Sequence, residues 1–126
     1  MRILLAEDEK TILRSTAELL RDLGYTVLCA RNGEEVLQVL DAQTVDLVIS
    51  DIRMPRMDGF QLLRALRAQK SELPVILITG QGDEETTTRA EQGGACYLLH
   101  KPLRVKELLA SIRSVERDMG KGKNAF

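Results

Sequence analysis

The order of apolar runs predicts an α/β fold: a five-stranded parallel sheet, (βα)5 and doubly wound. Three observations carry this. Five short apolar runs recur along the 126 residues, and each is followed by a stretch of helical period. The runs are continuously apolar rather than alternating, which marks strands buried on both faces between layers of helices. Four of the five end on polar, reactive groups: Glu7-Asp8, Asp51, Thr79 and Lys101-Pro102.

Ile3–Ala6 is the first strand. Ile12, Leu13, Thr16, Leu19, Leu20 and Leu23 then recur at helical spacing, and Gly24 stops that helix. Tyr25–Cys29 is the second strand. Gly33 precedes a helix whose apolar positions are Val36, Leu37, Val39 and Leu40. Val45–Asp51 is the third strand, and Asp58 is the expected N-cap of a helix carrying Phe60, Leu62, Leu63 and Leu66. Pro74 introduces the fourth strand, Val75–Thr79. A weak helix follows from about Asp83 to Gln92, where Ala90 is the one apolar residue and three consecutive threonines disfavour helix; Gly93-Gly94 end it. Ala95–Leu99 is the fifth strand. Val105, Leu108, Leu109, Ile112 and Val115 define the last helix. The expected domain is 1–117, with 118–126 as a flexible tail.

The length fits one domain with a proper core. With 44% hydrophobic and 29% charged residues, the chain reads as soluble and globular. Its net charge of −1 gives no global pull toward nucleic acid or an anionic membrane. No apolar run approaches the roughly 20 residues needed to span a bilayer, and no signal peptide precedes the first strand. The expectation is a cytoplasmic protein with no membrane contact. Cys29 and Cys96 lack metal-ligand spacing and are expected as reduced, partly buried thiols.

In open parallel sheets, ligands sit beyond the carboxyl ends of the strands. Taken singly, Glu7-Asp8 could cap a helix, Asp51 could start a turn, Thr79 could be an ordinary strand end and Lys101-Pro102 a surface loop. Together, at one rim, they fit a Mg²⁺-dependent phosphoryl-acceptor site. Mg²⁺ wants oxygen ligands, which the carboxylates supply. Asp51 is the candidate nucleophile, forming an acyl phosphate. The Lys101 ammonium and the Thr79 hydroxyl suit phosphoryl oxygens. Without metal, Glu7, Asp8 and Asp51 crowd like charges together, and Lys101 is expected to relieve them in part.

These motifs resemble the receiver domain of two-component response regulators, the chemotaxis receiver among them. The resemblance covers about residues 1–117. It rests on Glu7-Asp8, on Asp51-Ile52-Arg53-Met54-Pro55-Arg56-Met57-Asp58-Gly59, on Thr79-Gly80 and on Lys101-Pro102. It implies the flavodoxin-like strand order 2-1-3-4-5. It further implies that Asp51 takes a phosphoryl group from a sensor histidine kinase or a histidine phosphotransfer protein. Asp8 would then bind Mg²⁺ directly, Glu7 through water, and the backbone carbonyl of Arg53 would be a further ligand, with Thr79 and Lys101 holding phosphoryl oxygens and the Lys101–Pro102 peptide cis. A downstream effector protein or domain would read the result. The chain would be a free-standing regulator, or a receiver from a hybrid kinase or a DNA-binding regulator; the domain itself would not contact nucleic acid. Such a domain catalyses only its own phosphorylation and dephosphorylation.

One departure stands out. The family usually has Tyr or Phe three residues before the lysine; here that residue is Leu98, with Tyr97 one place earlier. Strand alternation points Tyr97 to the opposite side of the sheet. Backbone rearrangement between residues 80 and 93 is therefore expected to carry more of the signal than a ring rotation. Two other classes share this kind of sheet. An aspartyl phosphatase needs an Asp-x-Asp pair, and Arg53 stands where the second Asp would be. A flavin carrier needs a hydroxyl-rich phosphate loop after the first strand, where Glu7-Asp8-Glu9 would repel phosphate. His100 is expected as an exposed loop residue.

Overall fold

A computed structural model describes residues 1–69 and 72–124. Five strands and five helices alternate: β1 Arg2–Ala6, α1 Lys10–Asp22, β2 Thr26–Ala30, α2 Gly33–Ala42, β3 Leu47–Asp51, α3 Gly59–Gln69, β4 Val75–Thr79, α4 Glu84–Gln92, β5 Tyr97–His100 and α5 Val105–Asn124. All strand pairings are parallel, in the order β2-β1-β3-β4-β5.

Side-chain alternation divides the core into two layers. Ile3 and Leu5 of β1, with Leu47 and Ile49 of β3, pack with Leu13, Ala17 and Leu20 of α1 and Leu108, Ile112 and Val115 of α5. Leu4 and Ala6, with Val48, pack on the other face with Val36 and Leu40 of α2, Leu62, Leu63 and Leu66 of α3, and Ala90 of α4. β3 and β4 are buried along their whole length, as their unbroken apolar runs require.

Helix boundaries follow local chemistry. The Asn32 side chain accepts the Glu35 N–H, while a Glu35 carboxylate oxygen accepts the Arg31 N–H, fixing the start of α2. Asp58 and Gln61 do the same for α3: Asp58 Oδ1 accepts the Gln61 N–H at 2.8 Å and Gln61 Oε1 accepts the Asp58 N–H at 2.9 Å. Asp83 caps α4 through the Thr86 N–H at 2.8 Å. Gly24, at φ 100°, ends the α1 segment in a conformation that a residue with a Cβ seldom adopts.

One alternative falls away, and two expectations need correction. The N-cap of α1 is Glu9, and it makes no side-chain capping bond, so neither Glu7 nor Asp8 is needed there. Cys29 and Cys96 are free, but both are exposed rather than partly buried. β2 runs along one edge of the sheet, and Cys96 lies just before β5 at the other, so neither thiol is covered on both sides. α5 continues to Asn124, past the expected boundary at 117 and through most of the segment expected as a frayed tail. Ala125 and Phe126 lie outside the described residues. Among the described residues, no helix is long and apolar enough to cross a membrane.

Candidate functional site

The strand order reverses direction at β1, which lies between β2 and β3. A crevice therefore opens beyond the carboxyl ends of β1 and β3. Register brings the rim residues level: Ala6 pairs with Ser50, Asp51 with Ile78, and Thr79 with His100. The residues that follow β1, close β3 and β4, and follow β5 thus meet in one place.

Asp51 is 4% exposed and Glu7 5%, whereas Asp8 is exposed. One carboxylate oxygen from each of the three lies within 4.8 Å of the others. Lys101 Nζ donates to Asp51 Oδ2 at 2.7 Å and stands 3.7 Å from Glu7 Oε1. The Arg53 N–H donates to Asp51 Oδ1 at 3.3 Å. Both oxygens of Asp51 are therefore engaged, one by an ammonium and one by the backbone two residues on. The Lys101–Pro102 peptide is cis.

The electrostatics are those of an acidic pocket with one cation. Burial, the carboxyl contact with Asp51 and the negative charge of Asp51 push the Glu7 carboxyl from 4.5 up to about 8, against the opposing pull of Lys101. Burial alone would lower the Lys101 ammonium. Its hydrogen bond to Asp51 and the charges of Asp51 and Glu7 outweigh that and raise it. The relief expected from Lys101 is thus present, and it is incomplete.

The same pocket fits a hard divalent cation. Its three closest ligating groups are carboxylates, and Glu7 Oε1 is buried without any hydrogen-bond partner. An oxygen left unsatisfied in a buried site is costly, and a cation would satisfy it.

Thr79 is at the rim and 4% exposed, but its hydroxyl is committed elsewhere. Oγ1 accepts the Gln81 N–H at 2.9 Å and donates to the Gln81 carbonyl at 3.0 Å. Leu98 packs in the layer beneath α3 and α4, whereas the Tyr97 hydroxyl bonds Ser114 of α5. The aromatic ring does lie on the opposite face from Leu98. His100 is exposed.

Several contributors show their role only in the folded chain. Gly59 lets α3 begin against the end of β3: a Cβ there would stand 2.7 Å from the Asp51 carbonyl oxygen and 2.8 Å from Ile52 Cα. Beside the carboxylates, an open cleft of about 560 Å³ runs from Asp8, Arg53 and Thr79 to Phe60, Thr86 and Arg89. Phe60 reads as a core position of α3, and Arg89 as a solvated position of α4. The two meet only in the folded chain.

The response regulator receiver domain family matches residues 3–113. The chain is 33% identical over 129 aligned residues to the response regulator MprA of Mycolicibacterium vanbaalenii, covering 99% of this chain and 56% of that protein. It is 37% identical over 116 residues to the transcriptional regulatory protein CpxR of Escherichia coli K12, covering 92% of this chain and 49% of that one. The chain therefore spans about half the length of these curated relatives. Among solved structures, the signal receiver domain of an HD domain-containing protein from Pseudomonas fluorescens Pf-5 superposes with a TM-score of 0.88 at 35% identity, covering 95% of this chain and 97% of that one. With the strand order, the rim carboxylates and the lysine in place, and a match over most of its length, the chain belongs to the response regulator receiver domain family.

Proposed function

We propose that this receiver domain is a phosphorylation-dependent switch whose acceptor is Asp51, charged by a histidine kinase or a histidine phosphotransfer protein. The observation that carries the reading is the buried Asp51 carboxylate, held by Lys101 at 2.7 Å inside a cluster of two further carboxylates.

In the transfer, an Asp51 carboxylate oxygen attacks the phosphorus of a phosphohistidine. The new O–P bond forms as the P–N bond breaks, and the electron pair stays on the imidazole nitrogen of the donor. Lys101 moves its hydrogen bond from the carboxylate to a phosphoryl oxygen. The Thr79 hydroxyl leaves Gln81 to donate to another. Glu7, Asp8 and Asp51, with the backbone carbonyl of Arg53, would hold Mg²⁺. When bound, that ion offsets the repulsion between the acceptor carboxylate and the incoming phosphoryl oxygens. Hydrolysis of the acyl phosphate resets the domain, so it turns over only its own phosphoryl group.

The readout falls to the β4–α4 loop and α4, where a single residue, Ala90, is buried against the sheet. Rearrangement there would change affinity for an effector protein or domain. A cytoplasmic setting fits a kinase-coupled switch. CpxR, at 37% identity, is a transcriptional regulatory protein; a similar output is one of those open to this domain.

Intact-mass measurement after incubation with phosphoramidate and Mg²⁺ tests the assignment. The protein should gain one phosphoryl group, and Asp51→Asn should gain none. Equal labelling of the two proteins would overturn it.

A further inference from the structure

We infer that Arg89 is the positioning residue through which charge on Asp51 reaches α4; this deepens the proposed phosphoryl-acceptor function and rests on it. Four observations converge on this side chain. The cleft that starts at Asp8, Arg53 and Thr79 ends at Arg89 and Thr86, both on α4. The Arg89 guanidinium lies 4.0 Å from the centroid of the Phe60 ring. Among the described residues, Arg89 has no carboxylate partner and makes no side-chain hydrogen bond. Its neighbour Ala90 is the sole buried residue of α4.

At rest, the Arg89 charge is therefore held by an aromatic face alone, an interaction of the order of 1 kcal/mol at an exposed site. A phosphoryl group on Asp51 turns its single negative charge into as many as two, beside the Asp8, Arg53 and Thr79 end of the cleft. Attraction between the exposed Arg89 cation and a dianion across the open cleft competes with that stacking interaction. Arg89 then turns from Phe60 toward the acceptor end. A helix held by one buried alanine follows its own side chain more readily than one anchored by several. Leu98, aliphatic and packed in the layer below, offers no aromatic ring to transmit the change.

Other charges face this cleft. Asp8 and Asp58 are its acids, and Arg53 is its other cation. Arg53 comes from the loop that follows Asp51, so its movement would not displace α4. A contrast between the two arginines isolates the role.

The experiment uses the whole chain with Mg²⁺ and fluoroberyllate, a phosphoryl analogue, and reads amide hydrogen exchange across residues 80–93. Intact mass after phosphoramidate treatment is measured in parallel. In the wild type, exchange in this segment should change by about tenfold on adding the analogue, as expected for charge coupling across a partly screened cleft. Arg89→Met preserves an apolar contact with Phe60 and removes the charge. It should lose most of that change while still gaining one phosphoryl group on Asp51. Arg89→Lys should retain part of the change, and Phe60→Leu, which frees the cation at rest, should retain all of it. A full response in Arg89→Met, or a response lost in Arg53→Met instead, would overturn the inference. Loss of phosphoryl uptake in wild type as well would count against the acceptor reading instead.

Discussion

Replacing Glu7 with Gln should stabilise the metal-free protein at pH 8 and leave it nearly unchanged at pH 5. In the folded chain, burial and the nearby Asp51 carboxylate raise the Glu7 carboxyl from 4.5 to about 8. Between those values the folded state keeps a proton that the unfolded state has released. Stability from this group is complete below 4.5 and is lost as pH rises through about 8. The gap, 8 − 4.5, at about 1.4 kcal/mol per tenfold in proton binding, bounds the linkage at about 5 kcal/mol. The pocket opens to solvent beside Lys101, whose side chain is 36% exposed, so a realised effect of about 2 kcal/mol is expected. Gln has the shape of a protonated Glu and does not titrate. Urea unfolding of wild type and Glu7→Gln, with chelator present, should therefore diverge by about 2 kcal/mol between pH 5 and pH 8. Parallel pH curves would refute the reasoning, because every other titrating group is common to both proteins.

Two further outcomes follow from positions away from the carboxylates. Gly59→Ala should lower stability by about 1–3 kcal/mol, since its Cβ meets the Asp51 carbonyl oxygen at 2.7 Å and backbone rather than a flexible side chain must shift; an unchanged urea midpoint would contradict the close approach. The Tyr25 hydroxyl donates to Glu116 at 2.7 Å, and burial followed by that carboxylate raises it to about 12. The folded state then holds the phenolic proton after the unfolded state loses it near pH 10. Stability should fall as pH rises from about 10 to 12, and Tyr25→Phe should show a shallower fall in thermal unfolding over that window. Equal slopes would show that the hydrogen bond is absent in solution.

Most of the fold was legible because its signals are local. Unbroken apolar runs mark β3 and β4, and both are buried throughout. Asp58 announces α3 through its side chain, which accepts the N–H of Gln61 three residues on. Boundaries slipped where strand pairing decides rather than pattern. Tyr25 and Val45 are apolar but precede the paired segments of β2 and β3, and Ala95 precedes β5. The cysteines were placed too deep because edge position is a property of the sheet order, not of the run in which a residue sits. α5 was cut short because Gly120 and Gly122 argue against helix locally, while helix continues to Asn124. For the site, the residue types at strand ends were legible, and their mutual distances were not. That Glu7 would be the strained carboxyl, rather than Asp8, depends on burial: Glu7 is 5% exposed and Asp8 lies open.

The resting geometry gives the switch a definite starting point. Lys101 is bonded to Asp51, the proposed attacking carboxylate, and Thr79 is bonded to Gln81 in its own loop. The Thr79 hydroxyl cannot donate to a phosphoryl oxygen without giving up its bond to the Gln81 carbonyl, whereas the Lys101 ammonium holds further N–H donors. Lys101 gives up little, because a phosphoryl group on Asp51 presents new anionic oxygens next to the old one. Thr79 gives up its donation to the Gln81 carbonyl, one of two bonds to the Gln81 backbone that shape the loop leading into α4. The proposed acceptor chemistry and the position of α4 would therefore be linked through one hydroxyl, whatever happens at the aliphatic Leu98. Arg89 adds a second link at the far end of the same cleft. A loop pulled at Thr79 and a helix pulled at Arg89 would move toward the same proposed charge, so the two contacts would reinforce each other. The weak anchoring of α4 through Ala90 keeps the cost of that movement low.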